Sequence, residues 1–351
     1  MKRDQILSVL NKYKSDSVLF TNSKEIFYIT NVILDGFWVL FLKNKTYVIC
    51  QKIIKNQIKI FFRKQNLYIK NINSSFYKTV TNILKQNKIS TLLVDIKYMN
   101  AEDFILISKN LNHEKIKIVI KIGILDNIRL TKSTNEIKNL KTACKITSKI
   151  CNIIKHELIV GISEIDIHYR IIELFAKNHV IESFNPIIAF GINSANPHHK
   201  SSNRKLIKND IIVIDIGCRH NNYCSDITRT YFIGEQKNEY KKIWNIVKKA
   251  HDAVLKKIKQ GVQISLADKT ARDIITTAGY KKNFIHSTGH GIGIEIHELP
   301  SLSSNTNGIF LKNMVVTIEP GIYINNKFGV RIEDTVLINK NNSEVLTSAE
   351  Y

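Results

Sequence analysis

Five residues have the types and spacing to hold metal ions: Asp215, Asp226, His290, Glu319 and Glu333. Asp215 closes the apolar run Ile211-Ile-Val-Ile-Asp215. Asp226 opens the run Cys224-Ser-Asp226-Ile-Thr-Arg-Thr230 after a polar corner. A hairpin turning between His220 and Asn221 sets these two carboxylates opposite each other, with Cβ atoms roughly 4.5–5.5 Å apart. The pattern recurs in Thr317-Ile-Glu319-Pro-Gly-Ile-Tyr323 and Val330-Arg-Ile-Glu333-Asp-Thr-Val336, where a turn centred on Asn326 opposes Glu319 and Glu333. His290 lies in Ser287-Thr-Gly-His290-Gly-Ile-Gly293, between glycines that admit close backbone approach. Facing carboxylates in an apolar setting repel unless a cation separates them. At about 4 Å each pair costs on the order of 4 kcal/mol at an effective dielectric near 20. Several such pairs rival the stability of a whole domain, roughly 5–15 kcal/mol. Four carboxylates and a neutral imidazole carry four negative charges, which two divalent ions cancel. Oxygen-rich ligation with one imidazole and no thiolate suits Mn²⁺, Co²⁺ or Zn²⁺.

Side chains so placed need rigid supports, and the sequence supplies them. Ser133-Thr-Asn-Glu136 and Ser163-Glu-Ile-Asp166 are capping boxes that open two helices. The first helix shows an apolar face through Ile137, Leu140, Cys144, Cys151 and Ile154, and the second runs to about Lys177. Two more helices are expected over 237–259 and 265–278, the second capped by Ser265-Leu-Ala-Asp268. Helices before and after strand pairs that carry carboxylates imply an α+β domain with a curved antiparallel sheet. Upstream, short strand-like runs (Ser17–Thr21, Ile26–Ile29, Phe37–Leu42, Tyr47–Cys50, Thr91–Asp95, Ile116–Ile120) alternate with helical spacing over 75–87 and 101–111. This reads as an α/β domain over residues 1–126, without paired acidic or histidine motifs, followed by the catalytic domain over 127–351. A chain of 351 residues accommodates two domains.

The totals exclude several classes. No apolar run approaches the length of a membrane helix, and Met1-Lys-Arg-Asp-Gln meets charge at once, unlike a signal peptide. A cytoplasmic protein is expected. Five cysteines form no C-x-x-C pair, as suits reduced thiols. The net charge of +22 raises nucleic acid as a partner, but the lysines are spread along the chain without a basic stripe or interleaved aromatics. No specific nucleic-acid binding is expected.

The ordered set of motifs resembles the dinuclear metallopeptidases of the pita-bread fold, the M24 family, and within them the Xaa-Pro peptidase branch of aminopeptidase P and prolidase. Asn196-Pro-His198, the Asp226 run, His290-Gly-Ile-Gly293, His297-Glu298, Ile318-Glu-Pro-Gly-Ile-Tyr323 and Gly329-Val-Arg-Ile-Glu-Asp334 carry the resemblance, which spans Arg129 to Tyr351. It implies a creatinase-like N-terminal α/β domain for dimerisation and active-site closure, in a homodimer. It also implies that Asp215 chelates one ion, that His290 and Glu319 bind the other, and that Asp226 and Glu333 bridge. A hydroxide shared by the ions, with Mn²⁺ foremost, would attack the scissile carbonyl, and Glu319 would shuttle the proton.

The implied substrates are peptides with proline in second position. An Xaa-Pro bond has no amide N–H, so its leaving nitrogen must be protonated by a nearby relay. His198, His297 and His286 are candidates, with Arg331 near Asp226 or the product carboxylate. His199, His220 and His251 read as surface or packing residues. The resulting expectation is an Xaa-Pro aminopeptidase, with Xaa-Pro dipeptidase as the alternative and a non-catalytic peptide- or protein-binding relative as a further one. Methionine aminopeptidase fits less well, because Asn196-Pro-His198 stands where a Cys-His element is usual. One departure falls in the N-terminal domain, where Ile29-Thr-Asn-Val32 replaces the family's Thr-Gly-Phe turn.

Overall fold

The computed structural model describes residues 2–63, 65, 67–72 and 75–351. These divide after Ile128 into two compact units. The first is built on a mixed six-stranded sheet in the order Tyr68–Asn71, Thr46–Cys50, Phe37–Leu42, Ser17–Phe20, Thr91–Asp95, Lys117–Lys121. Its three strands Ser17–Phe20, Phe37–Leu42 and Thr46–Cys50 bury every residue, so they read as apolar runs rather than alternating ones. Trp38 is a core residue here and stacks on Phe76 at a centroid distance of 4.5 Å. One expected strand is a helix: Ile26–Ile29 lies inside Ser23–Thr30. Asn22 caps this helix by accepting from the Lys24 amide at 2.9 Å. Residues 25–30 are all buried, which removes the polar face that a helical period would have shown. Helix Arg3–Lys12 also precedes the first strand.

The second unit repeats one arrangement twice, a helix pair laid over a strand hairpin. Helices Thr134–Glu157 and Glu164–Lys177 pack on strands Ile187–Phe190, Ile211–Ile216 and Ile227–Phe232 through a core that includes Ile150, Ile171, Ile188, Ile214 and Ile227. Both of their capping boxes form. Helices Asn238–Lys257 and Ser265–Thr277 pack on the other hairpin through Val247, Ala271, Val316, Ile318, Val330 and Val336. Ser265 does not cap its helix. The N-cap is Ile264, and Asp268 is drawn instead to Arg272 and to the Thr288 amide and hydroxyl. An antiparallel sheet in the order Glu298–Leu302, Gly289–Gly291, Val315–Ile318, Asp334–Ile338, Ser343–Val345 completes the unit.

Candidate metal centre

The first hairpin turns one residue later than expected. Asn221 and Asn222 both take positive φ, 48° and 66°, and His220 pairs with Tyr223 across them. That is the geometry of a tight two-residue turn whose twist matches the flanking strands. Asp215 therefore pairs with Thr228, not with Asp226. The displacement is two residues, so Asp226 keeps the same face and stands diagonal to Asp215. The second hairpin has the expected register. Ile324 pairs with Phe328 and Gly321 with Arg331, and beyond them Ile318 pairs with Asp334. Glu319 and Glu333 thus sit opposite each other in the gap between two ladders. There the Glu319 amide donates to Thr288 O at 2.8 Å and the Glu333 amide to Thr228 O at 3.1 Å. The second of these bonds stitches the two hairpins together beside the carboxylates.

His290 reaches the same point from the short strand Gly289–Gly291. A Cβ on Gly289 would stand 1.9 Å from Thr317 O, and one on Gly291 would stand 2.1 Å from Leu299 O. Only glycine permits this approach on both sides. Nδ1 of His290 donates to Gly291 O at 3.0 Å, because a carbonyl only accepts. Burial disfavours the protonated imidazole, and in the neutral ring with its proton on Nδ1 the lone pair is on Nε2. That lone pair faces Glu319 Oε1 at 3.3 Å and Asp226 Oδ2 at 3.7 Å. A lone pair directed at carboxylate oxygens suits a shared cation, not a hydrogen bond.

The carboxylates make the same case. Ligand atoms of Asp226, His290 and Glu333 lie within 4.8 Å of one another. Asp215 Oδ1, Asp226 Oδ1 and Glu333 Oε1 are buried and have no hydrogen-bond partner among the described residues. Burial, then repulsion from Glu333, Asp215 and Glu319, raises Asp226 well above the ordinary carboxylate range. Burial, then Glu319 and Asp215, does the same to Glu333, and burial raises Glu319. Orphaned buried oxygens cost free energy unless something positive fills the space they face. The donor set, four carboxylates and one imidazole, fits divalent cations.

Arg331 was expected near Asp226 or a product carboxylate; its charge acts on Asp226, and its hydrogen bonds go to neighbouring groups. Nη2 donates to Asp215 Oδ2 at 2.6 Å, Nε to Thr228 Oγ1 at 3.0 Å and Nη1 to the Tyr323 hydroxyl at 2.8 Å. The residue is 3% exposed. Its pairing with Asp215 follows from the two-residue shift, which leaves Asp215 beside Thr228. Tyr323 was quoted in a motif but given no role. It lies diagonal to Arg331 on one face of the hairpin, since Gly321 opposes Arg331, and the register alone would have signalled this. The Tyr323 hydroxyl donates to His286 Nε2 at 3.0 Å, because His286 Nδ1 donates to Ser287 O at 2.8 Å. Burial pushes that phenol up to about 12 and lowers His286.

His297 stands edge-on to His290 with centroids 4.5 Å apart, and burial, then His290, lowers its pKa. His198 is exposed, and its ring has no hydrogen-bond partner among the described residues. The loop that carries it touches the centre where Pro197 O accepts from Arg331 Nη1 at 3.5 Å. His251 is fully buried against Asp334 and Asp252 as a packing residue. His220 bonds to Asn221 at the turn. His199 is more than a surface residue, since its Nε2 lies 2.8 Å from the buried Glu164 carboxylate.

With this geometry in view, the relatives are informative. The sequence profile of metallopeptidase family M24 matches residues 138–340. An Xaa-Pro dipeptidase of Pyrococcus horikoshii is 32% identical over 353 residues, covering 99% of this chain and 97% of its own. Among solved structures, an Xaa-Pro dipeptidase from Bacillus anthracis superposes with a TM-score of 0.95 at 31% identity, covering 99% of this chain and 97% of that one. An X-Pro aminopeptidase from Thermotoga maritima superposes at 0.89 with 29% identity, covering 98% of each chain. The second unit therefore has the pita-bread fold expected of it, joined to an α/β unit as in these neighbours.

Proposed function

The chain belongs to metallopeptidase family M24, and on that premise we propose that it is an Xaa-Pro aminopeptidase. It removes an N-terminal residue that precedes proline, with two divalent ions, Mn²⁺ foremost, held by Asp215, Asp226, His290, Glu319 and Glu333. The observation that carries this reading is the cluster of Asp226, His290 and Glu333 ligand atoms within 4.8 Å of one another, together with three buried carboxylate oxygens, on Asp215, Asp226 and Glu333, that have no hydrogen-bond partner among the described residues. Bound divalent ions would supply Lewis acidity and lower the pKa of a bound water towards about 7.

The remaining chemistry belongs to the protein. Glu319 accepts a hydrogen bond from Thr317 Oγ1 at 3.2 Å, and its carboxyl is raised by burial, as suits a group that takes and returns a proton. Arg331 holds Asp215 in place and orders the Tyr323 hydroxyl, which in turn orients His286. His297 and His198 flank the centre with imidazoles able to donate to a carbonyl oxygen or to a proline nitrogen that has no proton of its own. The first unit serves dimerisation and closure, in a cytoplasmic homodimer without a nucleic-acid partner. No helix among the described residues is long and apolar enough to cross a membrane.

A second reading, Xaa-Pro dipeptidase, is favoured by the names of the Bacillus and Pyrococcus relatives. Hydrolysis of Gly-Pro against a longer Xaa-Pro-Xaa peptide, with Mn²⁺ added, separates the two. Release of the first residue from the longer peptide is expected. Cleavage of the dipeptide alone selects the dipeptidase. Cleavage of neither by a chain with metal bound sinks both.

A further inference from the structure

Away from the metal ligands, the carboxylate of Glu164, in the first turn of helix Glu164–Lys177 and fully buried, accepts five hydrogen bonds. Its Oε1 accepts from the Phe190 amide and from Asn193 Nδ2, both at 2.8 Å. Its Oε2 accepts from His199 Nε2 at 2.8 Å, the Ser202 amide at 3.0 Å and the Ser202 hydroxyl at 2.6 Å. Burial works against the ionised form, but these donors outweigh it and hold the carboxyl below its usual range. The five donors come from the entry, middle and exit of one segment, 190–202, which leaves the sheet after Phe190 and carries His198 at its exposed bend. Because a carboxylate only accepts, His199 must hold its proton on Nε2. The same segment meets Arg331 through Pro197 O and the strand Phe328–Arg331 through Ser194 Oγ, which accepts from the Gly329 amide at 2.9 Å.

We propose that Glu164 is a positioning residue: with His199 it clamps the 190–202 segment and so presents His198 to the substrate at the metal centre. The inference rests on the peptidase reading for its catalytic consequence. The substitution that tests it is Glu164→Gln. An amide has one accepting oxygen and one donating nitrogen, so whichever way it turns, a backbone amide, Phe190 or Ser202, faces a second donor.

Three readouts are needed. Hydrogen exchange at the Phe190 and Ser202 amides should quicken in E164Q, while the two carboxylate hairpins stay protected and metal content holds. Catalytic efficiency on an Xaa-Pro peptide should fall roughly 10- to 100-fold. That loss should vanish in a His198→Ala background, where E164Q/H198A matches H198A, because Glu164 acts through His198. Losses that multiply in the double variant would show a role independent of His198 and overturn the proposal. Unchanged exchange across 190–202 would overturn the clamp itself, with or without peptidase activity. A metal-loaded wild type that cleaves no Xaa-Pro peptide would defeat the functional reading, whereas the exchange result would still decide the clamp.

Discussion

The two carboxylate hairpins differ in geometry. In the second, Glu319 and Glu333 are directly opposed in a gap between ladders that share one register on both sides. In the first, Asp215 and Asp226 are staggered by two residues, and Arg331 forms its ion pair with Asp215. The stagger gives the two aspartates different environments. Asp215 gives one oxygen to Arg331 and keeps one free, whereas Asp226 is pressed among Glu333, Asp215 and Glu319 and is raised well above its ordinary range, burial being the largest cause. A carboxylate hemmed in by others suits a position between two ions, and one with its own guanidinium suits a single ion.

The largest expected effect lies in the opposed pair. Glu319→Gln keeps the shape but cannot take a proton, and turnover should fall on the order of 10²–10⁴-fold with the unfolding midpoint preserved. Near-normal steady-state rates would remove Glu319 from the proton path. The staggered pair should separate next. With Mn²⁺ in excess, Asp215→Asn should recover part of its activity and Asp226→Asn none, as measured by rate against metal concentration. Equal recovery would erase the distinction between bridge and single-ion ligand.

Metal removal should follow with a pH signature. Asp226 and Glu333 have folded pKa values raised above their unfolded ones. Such groups stabilise the fold at low pH and lose that contribution as pH rises through the folded value. Metal-free protein should therefore melt at a higher temperature near pH ~5 than near pH ~7.5. The difference should shrink in an Asp226→Asn/Glu333→Gln variant. A melting temperature that rises with pH in metal-free wild type would contradict the electrostatics. The smallest effect is at the first turn. Asn222→Ala, at a φ of 66°, should cost about 1 kcal/mol in denaturant unfolding without changing metal content.

What was legible in the sequence follows the same division. The second register could be read because Asn325-Asn-Lys327 marks one turn and the flanking apolar alternation admits no other. The first was misplaced because Asn221 and Asn222 both tolerate the left-handed region, and centring the turn on them requires knowing that both adopt it. Ile26–Ile29 misled for the opposite reason, since burial on all sides erased its helical period. The five proposed ligands stood out because carboxylates rarely follow apolar strand runs. Glu164 did not stand out, because it lies inside the capping box of Ser163 and Asp166, where an acidic residue needs no further reason.

The most direct test of the paired hairpins is a metal count on the wild-type chain. After equilibration with Mn²⁺ and removal of unbound ion, elemental analysis should find two ions per chain, and a chain that retains one or none contradicts the assignment of all five ligands to a shared dinuclear centre.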